Sequence, residues 1–340
     1  MSLAGSPKPL IENPPGPVTG NGPAGDVLSN VLRNIRLSGS LQFCFMPSGA
    51  WQTDGKPRLA SLAGNSSNAM PFHIMVEGTC WLKMEGEETT LNAGDVVTFP
   101  FATGHQLGAG SAGRFITPVD DLPSKPWRQL PFLRYEAEGP RVRLLCGYLQ
   151  CAAVNFRPFR NALPSLLHFK ATSLHEGDWL RSTIQQIVNE VEKPRSGGLS
   201  MLERLTEITF IELLRHYMVA ATGGSAGWLS ALSDPHLGKC LSLIHDSPKL
   251  ELSVNDLSAA AGLSRSALAE RFETMLNTSP MRYLREWRLC QASVALATSN
   301  KAIASIADEA GYGTEAAFNR AFSRLYGAPP AAWRQNAMRE

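Results

Sequence analysis

A pattern near the end of this chain occurs twice, and the repeat fixes most of what the C-terminal third can fold into. Residues 256–263, 264–273 and 277–284 form the first copy; residues 305–312, 313–323 and 327–334 form the second. Leu257, Ala261 and Gly262 correspond to Ile306, Ala310 and Gly311, each 49 residues on. Phe272, Pro280 and Tyr283 correspond to Phe322, Pro330 and Trp333, each 50 residues on, so the second copy carries one extra residue in its turn. Self-similarity of this kind marks a duplicated structural unit.

Each unit is a pair of short helices. Residues 254–261 place Leu257 and Ala261 four apart on one face. Gly262 then suits the left-handed position that ends a helix. Ser264 is a good N-cap for a second helix, whose Leu268, Phe272 and Leu276 repeat every four residues. The second copy predicts helices over 303–310 and 315–326, with Gly311 and Gly327 closing them. Ser279-Pro280 starts a longer helix to about Thr298 that fixes the spacing between the units. Two helices joined by a short glycine-containing turn have helix-turn-helix geometry, whose second helix enters the DNA major groove.

Residues 261–273 with 279–290, and 306–334, resemble the AraC/XylS family of transcription regulators. The resemblance covers roughly 236–338, with both motifs in order and at the right separation. Asn277 stands where the family usually has glycine, and asparagine tolerates the left-handed conformation. The resemblance implies binding of double-stranded promoter DNA and action on RNA polymerase. In the first reading helix the groove-facing candidates are Arg265, Ser266, Ala269, Glu270 and Arg271; in the second they are Thr314, Glu315, Ala316, Asn319, Arg320 and Ser323. Arg320 is the best candidate for a base contact, because arginine reads guanine bidentately, and Asn319 suits adenine. Arg265, Arg271, Arg282, Arg285 and Arg288 suit phosphates, which position without specifying. Equally, these arginines form a solvated face with Glu270, Glu273 and Glu286.

Charge adds little. Lys plus Arg is 32 against 30 for Asp plus Glu, and residues 236–340 hold twelve basic and ten acidic residues. A strongly basic stripe is missing, so binding has to rely on local contacts and a moderate salt dependence. The first 25 residues hold six prolines and five glycines and are expected to be a disordered leader. They lack a signal peptide's basic start and apolar stretch, and no run of about 18 apolar residues exists. A cytoplasmic chain is expected, whose six cysteines are thiols or metal ligands rather than disulfides.

Residues 26–170 change character. Segments 40–46, 72–78, 80–84, 89–91, 95–99 and 143–149 read as short strands between Gly and Pro turns. Residues 71–84 and 91–107 resemble a cupin, the variant fused N-terminally to AraC-type DNA-binding regions, which implies a β jelly-roll barrel serving as sensor. Enzymatic cupins hold a metal with two histidines and a carboxylate in the first motif. Here His73 is present but Met75 takes the second histidine's place, which argues against an enzyme. With Cys44 on the first strand and Cys146 on the last, Cys44, His73, His105 and Cys146 would form a tetrahedral zinc site if all faced the lumen. Alternatively Cys44 and Cys146 are an oxidisable thiol pair, or all four are ordinary core residues. A one-residue slip of strand phase decides between these.

Residues 171–222 predict a helical hairpin turning at 192–198; its apolar stripe covers the barrel or, as the AraC resemblance implies, pairs two chains as a homodimer. Residues 223–235 continue the Gly/Ser-rich stretch as a linker, and Ser233 or Asp234 before Pro235 would cap the first helix of 236–340. The expected architecture is therefore α+β: barrel, hairpin, then an all-α double helix-turn-helix. The expected function is a one-component regulator sensing an unidentified small molecule, metal or oxidant. Two alternatives stand beside it, a cupin enzyme with a DNA-binding tail and a nucleoid-type binder without base preference.

Overall fold

Two sheets face each other across the N-terminal half of the computed structural model, which describes residues 27–29, 37–55, 69–111, 113–171, 179–221, 227–246 and 251–339. The strands are β1 (Leu37–Pro47), β2 (Trp51–Asp54), β3 (Ala69–Glu77), β4 (Thr79–Met84), β5 (Glu87–Asn92), β6 (Val96–Thr98), β7 (Gln106–Ala109), β8 (Arg114–Ile116), β9 (Phe132–Tyr135), β10 (Arg143–Cys151) and β11 (Leu167–Phe169). One sheet runs β11-β6-β3-β10-β1-β9 and the other β5-β4-β7-β2-β8. The described strands make an open sandwich and not the closed barrel that the sequence suggested, because each sheet keeps two free edges. Its interior is filled by Phe43, Phe45, Trp51, Leu82, Phe99 and Leu144, among others. Trp81 is only half-buried and lies under Lys83 at the surface.

The outer face of the six-stranded sheet carries a second apolar layer, including Cys44, Phe72, Ile74, Leu145 and Leu149. A helical hairpin covers it. Its first helix, α2 (Trp179–Glu192), buries Leu180, Ile184, Ile187, Val188 and Val191, spaced for one face. Its second, α3 (Gly198–Ala221), buries Leu202, Phe210, Leu213 and Leu214. Gly39 lets α3 approach β1: a Cβ there would stand 2.7 Å from Thr206 Cγ2. The hairpin packs on its own sandwich, through α3 against β1.

β10 does not end at the sheet. It runs into a 3-10 turn, Ala152–Asn155, and a five-residue helix, α1 (Arg157–Asn161), which project Phe156 and Phe159 into the C-terminal half. There Phe156 meets Tyr283 edge-on at 5.1 Å between centroids, Trp287 at 5.3 Å and His245 at 6.1 Å, and Phe159 meets Trp228 at 5.4 Å. Trp228 belongs to α4 (Trp228–Ser233), a short helix inside the stretch expected to be linker. Burial of Trp228 explains the difference, because tertiary packing overrides a weak local signal. The preceding residues 222–226, like 1–26, lie outside the described residues.

A hydrogen-bond chain runs through this aromatic cluster. Trp228 Nε1 donates to Tyr283 Oη at 2.7 Å, and Tyr283 Oη donates to His245 Nε2 at 2.8 Å. Burial holds His245 neutral, lowering its pKa from 6.5 to about 3. The unfolded chain takes up this proton near 6.5, whereas the fold refuses it until about 3. Between those values the unfolded state holds more protons, so stability falls as pH falls, by about 1.4 kcal/mol per pH unit. Urea titrations from about pH 7 to about pH 5 should give the wild type a steeper slope than His245→Gln, a difference of about 2 kcal/mol in total over that range. Equal slopes would show that His245 is not held neutral.

Candidate nucleic-acid interface and sensor core

The two reading units form as the repeat predicts. In the first, α6 (Val254–Ala261) opens on a capping box, Ser253 with Asp256, and closes on Gly262 at φ 65°. The reading helix α7 (Arg265–Leu276) is capped by Ser264 and ends on Asn277 at φ 49°, so asparagine does adopt the left-handed form that glycine usually supplies. The long helix α8 (Pro280–Thr298), capped by Ser279, joins the units. The second unit consists of α9 (Ile303–Glu309) and the reading helix α10 (Glu315–Tyr326), capped by Thr314 and closed by Gly327; α11 (Pro330–Arg339) follows.

Each reading helix is anchored by its apolar face. Leu268 and Phe272 are buried in the first, Phe318 and Phe322 in the second. The repeat also preserves the anchoring partner: Phe272 packs against Tyr283 at 5.8 Å, and Phe322 against Trp333 at 5.7 Å. Only Tyr283 also joins the cluster around Phe156, so the first unit is tied directly to the N-terminal half. Trp333 instead donates to Ser293 O of α8 at 3.2 Å.

The opposite faces carry the candidate contacts. Arg265, Ser266, Ala269 and Glu270 are exposed in the first helix; Thr314, Glu315, Ala316 and Arg320 are exposed in the second. Asn319 and Ser323 are half-buried on the same face as Arg320. Thr314 Oγ1 also accepts from Ala317 N at 3.2 Å, so its capping role is explicit. Arg271 belongs elsewhere. Its guanidinium is held bidentately by Asp234, which raises its pKa and lowers that of Asp234. Asp234 Oδ1 also accepts from His236 N and Leu237 N, capping α5 (Leu237–Asp246) as the sequence suggested. Arg271 therefore clamps α7 to α5, away from the groove-facing set. Arg282 is likewise engaged, with Glu286 at 3.1 Å; Glu286 also faces Arg157 of the N-terminal half at 3.5 Å.

Inside the sandwich the structure brings together three of the four proposed ligands. Cys146 Sγ lies 3.1 Å from His73 Nδ1, and His73 Nε2 lies 2.9 Å from His105 Nε2. His105 Nδ1 lies 3.1 Å from Thr103 O. That carbonyl can only accept, which fixes every tautomer along the line. His105 Nδ1–H donates to Thr103 O, His73 Nε2–H donates to His105 Nε2, and the Cys146 thiol donates to His73 Nδ1. All members are neutral: burial pushes both imidazoles down, His105 to about 4, and pushes the Cys146 thiol well up. Phe99 stacks on His105 at 3.7 Å, and Gly55 passes so close that a Cβ would stand 2.2 Å from His105 Nε2.

Cys44 does not join them. It pairs with Leu145, one residue from Cys146 on β10, and adjacent strand residues face opposite sides of a sheet. Cys44 therefore lies under the hairpin beside Arg143, neither the fourth zinc ligand nor a disulfide partner for Cys146. His73 also points its two nitrogens in opposite directions, at Cys146 and at His105. Among the described residues no three histidine, cysteine or acidic side chains are arranged to hold a metal ion.

The cluster of Phe156, Phe159, Trp228, His245 and Trp287 has one signal in the sequence, the helical spacing of Tyr283 and Trp287, which any buried helix face would give. The Thr103 carbonyl that ends the thiol–imidazole line has none.

A cupin family model matches residues 26–219, and a helix-turn-helix domain model matches residues 257–336. The chain is 27% identical over 321 residues to an AraC-like transcription regulator of Streptomyces lividans, covering 92% of this chain and 98% of that protein. It is 26% identical over 315 residues to the HTH-type transcriptional regulator AlkR of Acinetobacter baylyi, covering 92% and 100%. These relatives are transcription regulators, which speaks against the enzyme reading. Among the described residues no helix is long and apolar enough to cross a membrane. Two tandem reading helices behind a cupin-family domain, matched over nearly the whole length of such relatives, place this chain in the AraC family of DNA-binding transcription regulators.

Proposed function

We propose that the chain is a one-component promoter regulator whose sandwich senses a thiophilic signal, a soft metal ion or an oxidant, through Cys146. One observation carries this reading. The strand that holds Cys146 continues within ten residues to Phe156, the ring seated in the DNA-binding half. An agent that takes the thiol proton removes the donor to His73 and with it the fixed tautomers as far as Thr103, which precedes β7. A change in how β10 sits is then felt at the first reading unit as a shift between two populations of different DNA affinity. Promoter-bound, the chain acts on RNA polymerase, alone or as a homodimer. The buried thiol is protonated and slow to react, so the signal has to be strong enough to deprotonate or oxidise it.

The test is promoter-DNA affinity of the full chain before and after zinc(II) and, separately, hypochlorous acid, in the wild type, Cys146→Ala and Cys44→Ala. The expected result is an affinity change of about tenfold with at least one agent, kept in Cys44→Ala and lost in Cys146→Ala. Wild-type affinity unchanged by both agents would remove the sensing role of Cys146 while leaving DNA binding intact.

A further inference from the structure

The two glycine turns of the repeat are alike in backbone and unlike in surroundings. Gly262 and Gly311 both take the left-handed conformation, at φ 65° and 77°. A Cβ on Gly262 would meet no atom within 4 Å, so that glycine serves the backbone alone. On Gly311 a Cβ would stand 2.7 Å from Arg288 Nη1 and 3.4 Å from its Cζ. The second turn is therefore a notch that a side chain would close, and a guanidinium lies in it.

Arg288 reaches the notch from α8, the helix whose Tyr283 anchors Phe272 of α7. Its stem is thus tied to the first unit, and its head sits in the second. The next residue after the notch, Tyr312, leads to the reading helix: its ring meets Phe318, a buried anchor of α10, at 5.6 Å. Arg288 is half-buried; burial lowers its pKa, and Glu251 and Tyr312 oppose that. Glu251 precedes the Ser253 cap of α6, so both units contribute to the surroundings of this one cation. Much of the other contact between α8 and the second unit is apolar, Leu289 and Leu296 clustering with Ile306, Phe318 and Phe322. Apolar burial is strong but non-directional, whereas a planar guanidinium in a fitted notch fixes an angle.

We propose that Arg288 is a positioning residue for DNA reading: seated in the Gly311 notch, it sets the angle at which α10 is held relative to α7. That angle decides which spacing of two DNA boxes both helices can enter at once. In this role Arg288 touches neither base nor phosphate. The role rests on two-headed reading, in which α7 and α10 engage one duplex together.

The test is binding of the full chain to duplexes that carry its two selected boxes, at the preferred spacing or with one base pair inserted between them. One base pair turns the second box by about 35° and moves it by about 3.4 Å. Wild type should bind the longer duplex about tenfold more weakly, and Arg288→Met should reduce that penalty to about twofold. Gly311→Ala should do the same, because the guanidinium, the far end of a flexible side chain, gives way to the added methyl. Gly262→Ala carries similar backbone strain without the contact and should keep the wild-type penalty. A penalty kept in both Arg288→Met and Gly311→Ala would overturn the proposal; a salt slope smaller by about one in Arg288→Met would then make Arg288 a phosphate contact. Loss of the penalty in Gly262→Ala as well would assign the effect to turn strain and overturn it too. No penalty in wild type would overturn it together with two-headed reading.

Discussion

Phe156→Ala should split the unfolding of this protein into two transitions. The ring is fully buried, and the C-terminal half supplies the partners that surround it, Tyr283, Trp287 and His245. Truncating a buried phenylalanine costs about 3–5 kcal/mol through lost transfer energy and the cavity left behind. Here that loss falls on one apolar cluster that runs from the outer face of the sheet through Phe156 to Leu257, Leu268 and Phe272 of the first reading unit, whereas the sandwich interior and the second unit, with Leu289, Leu296, Phe318 and Phe322, have cores of their own. The expected calorimetric trace is one main transition for wild type and two for the variant, the lower one belonging to the first reading unit. The same variant should lose any dependence of DNA affinity on the state of Cys146. A single transition displaced by less than a few degrees would show that Phe156 does not hold the halves together.

Arg320→Ala should weaken binding to the best promoter sequence by about 1–3 kcal/mol, roughly 5- to 150-fold, and flatten preference at a single base pair. Arg320 is exposed on the face of α10 opposite Phe318 and Phe322, and no carboxylate among the described residues holds it. That separates it from Arg271, whose guanidinium is spent on Asp234. Arg271→Ala is accordingly expected to act through folding of the first unit rather than through base preference. Equal weakening on all sequences by Arg320→Ala would make Arg320 a phosphate contact.

The reading units were legible because their signals are local. Gly262, Asn277 and Gly327 each take the left-handed conformation, and Ser264, Ser279 and Thr314 each cap the helix that follows. Strand existence was legible too, but strand phase was not. Whether Cys44 faces Cys146 turns on one residue of register, and β1 carries a bulge that periodicity does not reveal. The contact between halves was hidden for another reason. Phe156, Trp228 and Tyr283 are far apart in sequence, and nothing near any of them says that they meet. Arg271 looked like its neighbours because a partner 37 residues away decides its role.

The most direct test of two-headed reading is selection by the full chain from a randomised duplex library. Two enriched boxes are expected, separated by about one helical turn, 10–10.5 base pairs from centre to centre, one for α7 and one for α10. A single enriched box, or no enrichment over the starting library, would contradict it.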